Sequence, residues 1–400
     1  METRFIFDFE NEDYDSFLKF VKKAGLKLNA PVIHIAGSNG KSSTANFLSS
    51  IYEKAGYRVG LFLNTFFASP EEMIKINHED IPSSRFEEIE KGFAKLFEKY
   101  DCSDFQKAFA IALSYFSSNK LDLVIVETGL GGTFDATNIG YENKVLSIIT
   151  NISLEHTELL GTTLSQIANE KSGIFAEQVP VLLGHTDDSC KPTLVENALE
   201  LSCSIFNVDV PHNVRLANVV HFDYGNYLDL SLCSGALYQV QNACVAIEAV
   251  IILQKEFPVE EDHIREGLKV RNLPGHFDII NGILFDGAEN PYAMQGLAST
   301  ISSFAPSDKA HAIFASLRGQ NIAVELPLID NYVGSITITT FSDPRARKEE
   351  DYFLYAPDYE TAESFLDAAK KLKELHPEEL IIVTGSMEFV YDCMKQWRKA

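Results

Sequence analysis

Between residues 32 and 55 the chain changes its hydrophobic period, and that change restricts it to a small group of folds. Val32-Ile33-His34-Ile35-Ala36 is a short apolar run of strand type. Ala45, Phe47, Leu48, Ile51, Tyr52 and Ala55 then recur at helical spacing. Between the two lies Gly37-Ser38-Asn39-Gly40-Lys41-Ser42-Ser43-Thr44. A strand, a glycine-flanked loop and a helix start together make a phosphate cradle. Glycines let backbone N–H groups face an anion with no Cβ in the way, and the helix N-terminus adds the positive end of its dipole. Lys41 supplies a point charge for β/γ phosphates, and Ser42 or Ser43 supplies a hydroxyl for Mg²⁺. Ile35 occupies the place of the first glycine of the full G-x-x-x-x-G-K-[ST] pattern, so the loop is the shorter G-x-x-G-K-[ST] type.

Apolar runs alternate with helical patterns along the rest of the chain. Strands are expected at 32–36, 59–63, 121–127, 145–150, 179–183, 279–285, 310–315, 335–340 and 380–384. Helices are expected at 43–55, 84–99, 104–118, 163–172, 240–256, 291–303, 360–375 and 387–398. Such alternation reads as α/β with largely parallel sheets. The segment 203–239 is poor in helix signals and suits short antiparallel strands. Pro274-Gly275 breaks the pattern, and a strand pair follows, 277–280 and 283–286, turned by Asn281-Gly282. Four hundred residues exceed one typical core. The expectation is therefore a P-loop nucleotide-binding domain with a mostly parallel sheet over 1–273, plus a smaller Rossmann-like α/β domain over 274–400.

Composition narrows the function. With 46% apolar and 23% charged residues the chain is globular. The net charge of −23 argues against nucleic acid as a partner, and requires a local positive site for any anionic substrate. No run of 18 apolar residues exists, so no membrane partner is expected. The first ten residues are acidic and lack a secretory pattern. The six cysteines are scattered and read as reduced thiols of a cytoplasmic protein.

Three further stretches carry chemistry. The apolar run 121–126 ends in Glu127, followed by Thr128-Gly129-Leu130-Gly131-Gly132 and Asp135-Ala136-Thr137-Asn138. Ligands of open α/β sheets sit beyond the carboxyl ends of strands, so Glu127 can hold Mg²⁺ opposite the Lys41 loop. The alternative is that Glu127 caps the next turn. The run 145–150 ends in Asn151-Ile152-Ser153-Leu154-Glu155-His156, where a neutral imidazole can ligate a metal or orient a phosphate. Lys171 closes a helical pattern with Gly173 as C-cap candidate, and its plain reading is attraction to the helix dipole.

These blocks together resemble the folylpolyglutamate synthase/dihydrofolate synthase family of the Mur ligase superfamily. The similarity lies in the phosphate loop, in Glu127 through Asn138, and in Ile149 through His156. It continues in Gly161 through Phe175, Gln241-Asn242-Ala243, Asp286 through Pro291, and Thr384-Gly385-Ser386. The order is that of the family, from about residue 31 to 390. The resemblance implies an ATP-dependent amide ligase that phosphorylates a folate-type carboxylate to an acyl phosphate, which the amine of glutamate then attacks. Carried over by position, Gly37, Ser38, Asn39, Gly40, Lys41, Ser42, Ser43, Thr44, Asn242, His276 and Asp286 contact ATP. Ser43, Glu127, His156 and Lys171 match the metal site, which implies two Mg²⁺ ions, and Lys171 matches the lysine that the family carbamylates. Lys41, Glu127, His156 and Lys171 are thus the expected catalytic set. The implied partners are ATP, glutamate and a folate-type acceptor, and the implied state is a monomer.

The chain also departs from the family. His276 follows Pro274-Gly275 where an arginine is usual, and Glu289 stands in Asp286-Gly287-Ala288-Glu289-Asn290 where a histidine is usual. Ser69-Pro70-Glu71 stands for Ser-Pro-His in the folate loop, Glu155 for Asp before the metal-site histidine, and Ser42 for Gly. Arg271, Arg318, Arg345 and Arg347 are candidate replacements for the missing cation, although Arg345 and Arg347 also read as a solvated charged loop. Two other functions stay open on the sequence: a Mur-type ligase with a different carboxylate acceptor, and a catalytically impaired nucleotide-binding homologue.

Overall fold

The computed structural model describes residues 13–355 and 358–399. The reading of the first ten residues as an acidic, non-secretory start lies outside them. The chain packs as two units. The first runs to His212 and includes Phe222–Ser231 and Gln241–Val270; the second comprises Asn213–His221, Leu232–Val240 and the chain from Arg271 onward.

The first unit is built on an eight-stranded sheet in the order Glu79–Asp80, Ile74–Ile76, Val59–Phe62, Leu123–Glu127, Val32–Ala36, Lys144–Ile149, Val181–Leu183, Ile205–Asn207. Pairing is parallel from Val59–Phe62 to Ile205–Asn207, and the first two strands add an antiparallel edge. The strands Val32–Ala36 and Leu123–Glu127 are buried along their whole length, as largely apolar parallel strands are, with His34 and Glu127 as their polar members. An aromatic cluster of Phe17, Phe20, Phe62, Phe105 and Phe109 anchors one core, into which helices Tyr14–Ala24, Ser83–Lys99 and Asp104–Ser117 pack. A second core gathers Ala36, Ile149 and Leu183 with Ile167, Ala168 and Leu194 from helices Leu164–Ser172 and Lys191–Glu200. Capping boxes fix the starts of two of these helices: Ser103 with Gln106, and Thr163 with Gln166.

The second unit holds a six-stranded sheet in the order His276–Ile280, Ile283–Asp286, Leu380–Thr384, Ala310–Phe314, Ser335–Ile338, Glu360–Thr361. The first pair is the expected hairpin, with Asn281 at φ 47° and Gly282 at φ 76°; the other pairs are parallel. Its core includes Leu284, Met294, Leu297, Ala312, Phe314 and Ile382.

Mostly parallel α/β architecture in both units agrees with the sequence. Boundaries differ in places. The 360–375 pattern forms a helix only over Phe365–Leu375, because Ser364 caps it and Glu360–Thr361 pairs as an edge strand. The helices Tyr14–Ala24, Lys191–Glu200, Glu261–Gly267 and Ile322–Asp330 were not expected. Among the described residues no helix is long and apolar enough to cross a membrane.

Candidate active site

The phosphate loop leaves the carboxyl end of Val32–Ala36, a central strand flanked by Leu123–Glu127 and Lys144–Ile149. Sheet pairing therefore brings three strand ends to one crevice. The N–H of Thr128 donates to Ile35 O at 2.9 Å, and that of Thr150 to Ala36 O at 2.9 Å. Ser38 and Asn39 are stitched to the neighbouring strand end. The Ser38 N–H donates to Asn151 O, the Asn39 N–H to Asn151 Oδ1, and the Asn39 amide to Ser153 Oγ, at 2.9, 2.9 and 3.0 Å. The Thr150 hydroxyl donates to Asn39 O at 2.7 Å. These two residues hold the loop's shape, and their N–H groups are already spent. The helix Lys41–Lys54 starts behind Gly40 with no capping side chain, which leaves its positive end for an anion.

Two glycines are dictated by this geometry. Gly37 (φ 145°) lies against Thr150, where a Cβ would come within 2.0 Å of Oγ1. Gly40 (φ 79°) lies against Asn242, where a Cβ would come within 2.0 Å of Oδ1. The helix Gln239–Ile252 thus brings Asn242 to the loop, and Thr44 Oγ1 donates to Asn242 O at 3.5 Å.

Glu127 is fully buried and does not cap the following turn. Asp135 does that, accepting the N–H groups of Gly129 and Leu130 at 2.8 Å each. Glu127 Oε1 accepts the Ser42 hydroxyl at 2.7 Å and Oε2 accepts the Asn64 N–H at 3.2 Å. Burial raises its pKa to about 7, against the pull of Lys41, Ser42 and Asn64. The hydroxyl that meets Glu127 is that of Ser42, one residue before Ser43. Thr128 Oγ1, next in the chain, is buried with no hydrogen-bond partner. The buried Glu127 carboxylate and the Ser42 hydroxyl are oxygen donors of the kind that fit a hard cation such as Mg²⁺.

Lys171 points inward from the helix Leu164–Ser172, so the dipole reading does not describe it. Its ammonium lies 2.7 Å from Glu155 Oε1 and donates to Gly37 O at 3.0 Å. Burial lowers its pKa, opposed by Glu155 and reinforced by Lys41. Burial acts against the Glu155 charge too, but Lys171, Lys41 and His156 outweigh it and hold the carboxyl at about 2. Gly173 is the C-cap, as expected, in a right-handed conformation at φ −58°. Glycine is required there because a Cβ would lie 2.2 Å from Thr133 Oγ1. His156 is exposed beside this pair with φ 42°, a value uncommon for a residue with a side chain.

In the second unit, Asp286 faces His276 across the hairpin register. It accepts the Tyr238 hydroxyl at 2.5 Å and the Ala288 N–H at 3.1 Å, and burial raises its pKa to about 7. His276 donates from Nδ1 to Pro274 O at 3.0 Å, and burial lowers its pKa.

The Mur ligase middle domain model matches residues 35–250, more than half of the chain. The chain belongs to the folylpolyglutamate synthase/dihydrofolate synthase family. It is 27% identical over 393 residues to the dihydrofolate synthase/folylpolyglutamate synthase of Bacillus subtilis, covering 91% of this chain and 89% of that protein. Among solved structures, Escherichia coli FolC in complex with ADP superposes with a TM-score of 0.86 at 26% identity, covering 98% and 95% of the two chains. A bifunctional folylpolyglutamate synthase/dihydrofolate synthase with Mn, AMPPNP and L-glutamate bound gives 0.84 at 25% identity, covering 96% and 94%.

Several residues of this family member carry the site without a signal in the sequence. Asn64, Asp135, Asn151 and Ser153 shape the crevice through hydrogen bonds, which no periodicity announces. Tyr238 reaches Asp286 across 48 positions of chain. Glu289 accepts the Met387 N–H at 3.3 Å, so its carboxylate faces the start of the Met387–Trp397 helix. Of the four arginines, Arg271 pairs with Asp278 at 3.6 Å, Arg318 with Asp351 at 3.8 Å, and Arg345 with Asp343 and Glu388 at 3.2 and 2.9 Å. Arg347 is not a solvated charge: it donates to the carbonyls of Arg318 and Gln320, and its Nε is buried without a partner.

Proposed function

We propose that this protein is an ATP-dependent ligase that joins glutamate to the carboxylate of a folate-type acceptor through an acyl phosphate. The observation that carries this reading is the convergence of the Gly37–Thr44 loop, the Ser42–Glu127 contact and the Lys171–Glu155 pair at one set of strand ends. The acceptor carboxylate attacks the γ-phosphorus of ATP, releasing ADP. The amine of glutamate then attacks the acyl carbon and phosphate departs. Lys41 and the uncapped helix start meet charge that develops on the transferred phosphoryl group. Gly37, Ser38, Asn39, Gly40, Ser42, Ser43, Thr44 and Asn242 position the nucleotide, and by their place in the family pattern His276 and Asp286 are further nucleotide residues.

Ser43, Glu127, His156 and Lys171 would hold Mg²⁺, with Ser42 a further donor through its contact with Glu127. When bound, Mg²⁺ supplies neutralisation of phosphate charge. Carbamylation of Lys171 needs the neutral amine, which burial favours. It would also remove the positive charge that keeps Glu155 ionised, so we assign it to the cation-loaded state. We further propose a monomer in the cytoplasm; the expected division into 1–273 and 274–400 is modified by segments 213–221 and 232–240, which pack with the second unit.

The test is ADP release measured with ATP, Mg²⁺ and glutamate while the acceptor is varied among dihydropteroate, tetrahydrofolate and a uridine-nucleotide-linked carboxylate. ADP release that requires a pterin acceptor and glutamate together is expected. Release only with the uridine-linked acceptor moves the protein to another Mur-type specificity. No acceptor-dependent release makes it a nucleotide-binding homologue.

A further inference from the structure

The second unit contains a side-chain cluster that the ligation chemistry does not use. It gathers at the amino ends of parallel strands, whereas Asp286 and Thr384 lie at carboxyl ends. His311 is the second residue of Ala310–Phe314. Glu379 immediately precedes Leu380–Thr384, and His376 is the C-cap of the Phe365–Leu375 helix. The two imidazoles stack with centroids 3.8 Å apart and planes at 29°. Glu379 Oε2 lies 2.8 Å from His311 Nε2 and 2.8 Å from His376 Nδ1. One potential ligand atom from each of the three residues falls within 4.8 Å of the others.

We propose that His311 Nε2, His376 Nδ1 and a Glu379 carboxylate oxygen form a binding site for a zinc-class divalent cation, held wholly within the second unit. Two imidazole nitrogens and one carboxylate suit Zn²⁺ and its neighbours; Mg²⁺ and Ca²⁺ select all-oxygen sets. The scaffold is already organised. His311 is 5% exposed on a central strand, and its other nitrogen, Nδ1, lies 2.8 Å from Ser335 Oγ. A hydroxyl in that position accepts from Nδ1–H and so turns the Nε2 lone pair toward a cation, the outer-shell arrangement usual for histidine ligands. His376 and Glu379 sit on one turn, closed by the Glu379 N–H donating to His376 O at 3.2 Å. Without a cation both rings satisfy the carboxylate as N–H donors. With one, donor atoms bonded at about 2.0–2.1 Å to a tetrahedral centre separate to about 3.3 Å. Half-exposed His376 and Glu379 can open by that amount, and their exposure leaves the fourth position to water. Such a site clamps the helix end to two strands and leaves the chemistry alone.

The experiment uses the full chain after chelator treatment, in excess Mg²⁺ so that the Glu127 site of the first unit does not compete. Zn²⁺ is titrated by calorimetry, Co²⁺ by visible spectroscopy, and melting temperature is followed with and without Zn²⁺. Wild type is expected to take up one equivalent of Zn²⁺, to give the intense bands of tetrahedral Co²⁺, and to melt about 5 °C higher at saturating metal. His376→Ala and Glu379→Gln, both at half-exposed positions, should lose the equivalent and the bands while keeping metal-free melting close to wild type. Ser335→Ala should weaken Zn²⁺ binding roughly 10-fold or more. Failure of wild type to bind Zn²⁺ or to give the Co²⁺ bands overturns the proposal. So does an equivalent that survives unchanged in both ligand variants.

Discussion

Lys41 folds back over its own loop and donates to the carbonyls of Gly37 and Ser38 at 2.9 and 3.3 Å. It lies at a half-buried position and packs no core, so its truncation should act on chemistry and not on stability. Lys41→Ala is expected to lower acceptor-dependent ADP release by about 10²-fold or more with little change in melting temperature. Steady-state turnover beside a melting curve checks this; near-normal turnover removes the phosphate-loop assignment. The Lys171–Glu155 pair behaves in the opposite way. Lys171 is buried and Glu155 largely so, and each depends on the other, so Glu155→Gln strands a buried ammonium and should cost about 3–5 kcal/mol in urea unfolding. The double variant Glu155→Gln/Lys171→Met should recover much of that loss. The Glu155 carboxyl, held at about 2, lies below its unfolded value near 4.3. Its contribution is therefore complete above about pH 4.3 and lost as pH falls toward 2. In Glu155→Gln that part of the acid sensitivity should be missing.

At the scale of the element, the phosphate loop is shaped by its neighbours as much as by its own residues. Asn151 and Ser153 fix Ser38 and Asn39 from one side, and Asn242 closes on Gly40 from another. Gly40→Ala meets two obstacles, a left-handed φ of 79° and an Oδ1 at 2.0 Å. The left-handed backbone alone costs about 1–3 kcal/mol. Nucleotide affinity should fall with stability, read by calorimetry with ADP. Asn242→Gly in the same chain should relieve the clash but not the backbone cost, so recovery of stability, read by urea unfolding, is expected to be partial. Full recovery would mean that the φ is not needed, and none would mean that Asn242 does not touch the loop.

At the scale of the whole molecule, the chain carries a charge of −23 yet buries carboxylates where anions are to bind. Burial lifts both Glu127 and Asp286 to about 7. A carboxyl raised above its unfolded value of about 4 adds stability that is complete below that value and lost as pH rises through about 7. Metal-free, nucleotide-free protein should therefore lose stability between about pH 4 and 7 from these groups. Asp286→Asn keeps an acceptor for the Tyr238 hydroxyl while removing the titration. The variant's stability should gain on wild type as pH rises across that window, measured by urea unfolding at several pH values. Parallel curves would show that Asp286 titrates in the ordinary carboxylate range.

Local pattern carried much of the fold. Mainly apolar runs such as Val32–Ala36 and Leu380–Thr384 are parallel strands, nearly all buried, because most of their side chains lose water favourably. Asn281-Gly282 turns a hairpin because both residues accept positive φ. The strand, glycine loop and helix start at 32–54 were legible because they follow one another directly in the chain. Helices such as Tyr14–Ala24, Lys191–Glu200 and Ile322–Asp330 were not, and Pro327 inside the last is an ordinary stop signal. Side-chain partnerships were hidden more completely. Whether Glu127 caps a turn or meets Ser42, and whether Lys171 faces a dipole or Glu155, depends on which strands lie side by side. A sequence records what each residue can offer locally, whereas partners many positions away are chosen by sheet order, and sheet order exists only once the chain has folded.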